Sequence, residues 1–220
     1  MGIIYLKGCD YNMKKTFIDL LDNLSNKNYM YYFLTYLLSP VITGVKPSST
    51  ITLKKEIKDM LNVWNEDEEE YLKMLGLKHI ILKEYPGSKT ILIYNENNLK
   101  NILCKDDNKN FLSNIGYSRN LNLNEYLSTL KLRYEKFHCP HELGIFLGIP
   151  LSDVKAFMDC SKEKCLMCGY WKVYENEEFA KNIFNYYDKS KEIVMSYLLS
   201  GLTLDQIIPK ISNSYDSIAS

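Results

Sequence analysis

The chain has 220 residues, 46% of them hydrophobic, and its 27 basic residues balance 27 acidic ones to a formal net charge of zero. A chain of this size buries a core without a metal or disulfide staple, and its balanced charge sets up no global field toward nucleic acid or anionic lipid. Its arginines are Arg119 and Arg133 alone, which leaves few planar forks for phosphate, and no apolar run approaches the roughly 20 residues of a membrane helix. We therefore expect a soluble, cytoplasmic protein whose partner is a protein or small molecule, with nucleic acid and membrane argued against.

Residues 1–12 read as a loose tail or alternative start, because Met13 opens an amphipathic segment, "MKKTFIDLLDNL". "FIDLLDNL" and "YMYYFLTYLL" predict two helices broken at "SNKN", and Pro40, Gly44 and Pro47 punctuate a loop leading to a strand at "TITL". A helix is expected over about 54–63, followed by the acidic run 65–71 as the first turn of a helix reaching Leu75. "LKHIILKEY" and "KTILIY" flank "PGS" and predict an antiparallel hairpin over about 78–94.

Helices are expected next at about 96–103, 108–115 and 123–135, then a helical pair, "CPHELGIFLG" with "PLSDVKAFMD". "YWKVY" is aromatic and β-branched enough for a strand over about 169–174, with Trp171 and Val173 on the core face. A helix through "EEFAKNIFNYY" and one or two more over 190–210 complete the chain. The expected class is α+β, helix-rich with a small sheet. Residues 13–188 form one expected domain and 189–220 a C-terminal helical extension with a polar tail.

Four segments, "SPVITGVKP" (39–47), "SKTILIYNENNLKNIL" (88–103), "FHCPHELGIFLGIPLSDVKAFM" (137–158) and "CGYWKVYENEEFAKNIFNYY" (168–187), occur in this order. In these segments the chain resembles the bacterial family known as domain of unknown function 3793. The resemblance covers most of residues 17 to 187 and brings neither a reaction nor a catalytic residue with it.

Two constellations carry the chemistry. With Pro140 at a first helical position, Cys139 falls at the N-cap and Glu142 at N3, the spacing of a capping box. A thiolate there is stabilised by the helix dipole, with His138 and His141 placed to shuttle its proton, so Cys139, His141 and Glu142 are the candidate catalytic groups. A purely capping Glu142 predicts that Glu142→Gln costs at most about 1 kcal/mol. The competing reading is an ordinary helix start.

In the second, Cys160, Cys165 and Cys168 follow the spacing C-x4-C-x2-C. With Cys139 or His138 as the fourth ligand, these cysteines are candidates for zinc or an iron–sulfur cluster, and Cys165 with Cys168 for a redox dithiol. Plain thiols are the competing reading. The helical pair has the cadence of a helix-turn-helix, but Ser152, Asp153, Lys155 and Asp159 give a face unsuited to reading DNA. "TGVKPSST" echoes a phosphate loop without its spacing and is rejected. Function is thus expected to be metal binding or thiol redox chemistry, with a non-catalytic interaction or regulatory module as the alternative.

Overall fold

Alternation along the hairpin decides the architecture. A computed structural model describes residues 11–159 and 164–212. In it β1 (Ser48–Lys54), β2 (Lys78–Tyr85) and β3 (Ser88–Tyr94) form an antiparallel sheet in the order β1-β3-β2. Along central β3, Ile91 and Ile93 face one way and Leu92 and Tyr94 the other, and all four are buried. Each face of the sheet must therefore be covered by its own apolar layer.

On the first face, Ile51, Leu53, Ile91 and Ile93 pack with α1 (Tyr11–Asp22), α2 (Asn26–Ile42) and α3 (Met60–Leu75). The same cluster takes in the later part of α9 (Glu177–Leu199), through Val194, Met195 and Leu198, and α10 (Leu204–Ile211). On the second face, Leu82, Leu92 and Tyr94 pack with α4 (Glu96–Leu103), α5 (Asp106–Asn114), α6 (Leu123–Phe137), the single turn α7 (Leu143–Phe146) and α8 (Leu151–Met158). A third, small cluster of Val173, Ala180 and Phe184, with Met167 and Trp171 against it, seats a hairpin of β4 (Met167–Cys168) and β5 (Lys172–Val173) on the start of α9. This is the expected α+β class, with the short second sheet added.

Several local expectations give way to packing. Pro40 lies inside α2 rather than in a loop. The Tyr36 carbonyl, which a proline four residues later cannot bond, accepts instead from the Ser39 hydroxyl at 2.9 Å. No helix forms over 54–59, since β1 runs to Lys54 to complete its pairing with Ser88, and α3 starts only at Met60. The acidic run accordingly occupies the middle of α3, where Asp67 pairs with Lys27 at 2.9 Å. Helix α9 passes position 188 without a break. No helix of the described residues is long and apolar enough to cross a membrane.

Where β2 pairs with β3, the register slips between Ile81 and Lys83. A bulge of this kind turns two successive side chains to one face. Leu82 shares the second core with Ile80 by alternation, and the bulge turns Lys83 to that same face, where it reaches His138 at the end of α6, with Nζ 2.6 Å from Nδ1.

Candidate functional site

The stretch from Phe137 to Pro150 does not build the expected helix start. Helix α6 runs through Phe137, and its cap His138 takes a positive φ of 65°. Cys139 precedes a proline, a position biased away from helical geometry, and its backbone N–H donates to the Phe137 carbonyl at 2.8 Å. The thiol therefore follows the carboxyl end of α6, and α7 begins only at Leu143. The dipole argument for an activated Cys139 falls with that placement.

Glu142 makes no capping box with Cys139. It is 2% exposed, and its Oε1 accepts from Arg133 Nε and, at 3.4 Å, from the Tyr117 hydroxyl. Arg133 also donates through Nη1 to the Ile115 carbonyl at 2.9 Å and lies over the rings of Tyr117 and Phe137. A carboxylate so deep is drawn to a guanidinium, because an unpaired buried charge is costly. Glu142 ties α6 to α7 and is not free to act as an acid or base on Cys139. His141 stacks edge-on against Phe157 at 5.1 Å.

The second constellation is only partly assembled. Cys165 and Cys168 stand side by side, with Sγ atoms 3.4 Å apart, at the mouth of the β4–β5 hairpin. Cys165 contacts the Met167 carbonyl at 2.9 Å, and burial together with Cys168 pushes its thiol up from the ordinary range. Lys172 is the cross-strand partner of Cys168, and its ammonium lies over Phe157, the ring that meets His141. Among the described residues no three His, Cys, Asp or Glu side chains are grouped to hold a metal, so Cys139 and His138 do not join the pair. Cys160 lies outside the described residues.

The hairpin is clamped from three sides. Asp153 on α8 is 3% exposed and accepts from Trp171 Nε1 at 2.7 Å and from the backbone N–H groups of Tyr174 and Glu175 at 2.8 and 3.3 Å. Tyr170 donates to Asp188 at 2.6 Å and accepts from Lys191 at 2.9 Å, both on α9. Gly169 lies so close to α9 that a Cβ there would sit 2.1 Å from the Phe184 ring. Gly169→Ala is therefore expected to cost about 2 kcal/mol, since inserting a carbon into a filled contact displaces the ring. Urea denaturation measures it, and unchanged stability with unchanged hairpin amide protection would refute the close seating.

None of these partners was named from the sequence. A tryptophan on the core face asks for an acceptor for its indole N–H, and that was the available signal toward Asp153. Nothing comparable pointed from Glu142 to Arg133.

The match to a family model of proteins of unknown function (DUF3793) spans residues 34–208. The chain belongs to that family. The match starts within α2 and ends within α10, so it begins later than the expected coverage from residue 17 and continues past 187 through all of α9. Comparison with curated proteins and with solved structures found no match.

In this DUF3793 chain the resembling segments meet in space. Ser48, directly after "SPVITGVKP", donates through Oγ to the Phe146 carbonyl at 2.7 Å. Gly148, at φ 81°, brings its backbone so close to Pro47 that a Cβ would stand 2.7 Å from that ring. The "PLSDV" helix holds the "GYWKVY" hairpin through Asp153 and Trp171.

Proposed function

We propose that this protein is a thiol–disulfide module whose working groups are Cys165 and Cys168. The observation that carries the reading is the 3.4 Å separation of the two sulfurs on an anchored turn. Cys168, the exposed member, attacks one sulfur of a partner disulfide as its thiolate, and the other partner sulfur leaves as a thiol. Cys165 then gives up its proton and attacks Cys168 Sγ, releasing the second partner thiol. The protein ends with one S–S bond and the partner with two S–H groups, so two electrons and two protons have passed to the partner. Lys172, opposite Cys168, favours electrostatically the loss of the Cys165 proton in the second attack.

The test is alkylation and mass spectrometry after equilibration in glutathione buffers of graded potential. One disulfide linking Cys165 and Cys168 is expected to form cooperatively and to be absent from Cys165→Ser and Cys168→Ser variants. Persistence of both thiols across the whole range would defeat the proposal.

A soft metal is the second reading, favoured by the same sulfur pair, whose separation is near the roughly 4 Å edge of a thiolate-bound zinc tetrahedron. The sequence offers Cys160 as a further ligand. Elemental analysis of protein purified without oxygen separates the two. Stoichiometric zinc or iron that is lost in Cys165→Ser would replace the redox reading with a metal site.

A further inference from the structure

We propose, resting on the thiol–disulfide reading, that the disulfide met by Cys165 and Cys168 belongs to a polypeptide with an apolar side chain next to its cysteine and an acidic one close by. The hairpin that carries the two thiols has two unlike faces. Met167 and Val173 turn inward and pack with Ala180 and Phe184 of α9. Side chains alternate along a strand, so Leu166 and Cys168 turn the other way, and Lys172, the cross-strand partner of Cys168, stands on their side. Phe157 of α8 borders that side, for the Lys172 ammonium lies 5.7 Å from its ring centroid. Leu166 is 51% exposed and Phe157 43%.

Apolar side chains left in water beside an exposed sulfur gain from a partner that covers them. Glutathione disulfide has polar γ-glutamyl and glycyl groups and no apolar side chain to set against Leu166 and Phe157, whereas a polypeptide can lay one there while its cysteine meets Cys168. Charge adds a second selection. Lys164, directly before Cys165, is exposed, and neither it nor Lys172 forms an ion pair among the described residues. Asp153 and Asp188, which clamp the hairpin, are engaged by Trp171 and Tyr170. Two ammonium groups beside the thiols therefore favour an acidic side chain on the partner over a basic one. In the exchange, Cys168 Sγ, as its thiolate, bonds to one peptide sulfur, and the other peptide sulfur leaves and takes up a proton. Cys165 then loses its proton, bonds to Cys168 Sγ and releases the second peptide sulfur, which takes that proton up.

Two short peptides, each oxidised to its disulfide-linked dimer, test the substrate class: one has leucine beside its cysteine and glutamate next, the other serine and lysine at those positions. The reduced whole protein is mixed with each dimer and with glutathione disulfide, and formation of the Cys165–Cys168 bond is timed by acid quench, alkylation and mass spectrometry. Dividing each rate by that of dithiothreitol with the same disulfide removes the disulfide's own reactivity. On this scale the leucine–glutamate peptide is expected to react roughly tenfold faster than the other two, as covering one apolar side chain predicts, and added salt should narrow the gap. Phe157→Ala should remove most of that advantage while the rate with glutathione disulfide stays within about twofold, and Leu166→Ser, at the more exposed position, supplies a second variant. Equal scaled rates for the two peptides, glutathione disulfide reacting fastest, or an advantage that survives in both folded variants would each overturn the substrate class and leave the thiol–disulfide reading standing. No reaction with any of the three would overturn both. A dimer linked through Cys168 as the main product would assign this face to a second copy of the chain instead.

Discussion

Glu142→Ala is expected to lower the unfolding free energy by about 3 kcal/mol, the low end of what breaking a buried ion pair costs. The low end applies because Arg133 keeps 24% of its side-chain surface in solvent and can be partly rehydrated once its partner is gone. Two further effects hold the loss above that of a surface pair. The Tyr117 hydroxyl, buried with Glu142, is left without that acceptor, and the truncation opens a void between α6 and α7. Glu142→Gln keeps the shape and an acceptor but not the charge, and should cost about 2 kcal/mol. This exceeds the ceiling of about 1 kcal/mol that the capping role predicts.

Urea denaturation with an unchanged slope gives these values directly. A double-mutant cycle with Arg133→Met should show the two losses to be strongly non-additive, because either change alone strands the other charge. A loss below about 1 kcal/mol for Glu142→Gln would mean that the pair contributes nothing beyond local capping.

The other large effect is expected at Asp153. Asp153→Ala leaves the Trp171 indole N–H and the backbone N–H groups of Tyr174 and Glu175 without their acceptor. Hydrogen bonds to a charged group contribute about 1.5–3 kcal/mol each, and their sum is not additive. The observable loss is capped by how easily the hairpin detaches, for its own cluster rests on Val173, Ala180 and Phe184. About 3 kcal/mol of local stability should disappear while the main sheet stays folded.

Hydrogen exchange resolves this. Amides of residues 164–176 should lose protection while those of β3 keep theirs, and Trp171 emission should shift toward that of a hydrated indole. Because the same hairpin presents Cys165 and Cys168, their disulfide should also form less readily once the turn is loosened. Equal loss of protection in β3 and the hairpin would show instead that the hairpin and the main core open as one unit.

What the sequence determined by itself is the part of the fold governed by short-range periodicity. The β2–β3 hairpin follows from the apolar strings on either side of "PGS", and α4 fills the expected span 96–103, where the structure adds a cap, Asn95 accepting from the Asn98 backbone N–H at 3.1 Å. The family resemblance was likewise carried by local strings, and its matched span confirms it. Each of these signals is complete within a dozen residues, where backbone geometry alone links the positions.

Tertiary structure decided the partners of the buried polar groups. The string "CPHE" satisfies the local pattern for a capped helix start, yet Arg133 on the preceding helix claims Glu142 and the turn forms around that pair. Pro40 reads locally as a loop residue and stands in a helix, because Ser39 supplies a bond to the carbonyl that the proline strands. Asp153 and Trp171, and the Thr43 and Ser190 hydroxyls, meet only after the chain has packed. A buried charge or N–H takes whichever partner the fold brings within about 3 Å, since desolvation penalises the unpaired group wherever in the chain its partner lies. Sequence spacing carries no record of that choice.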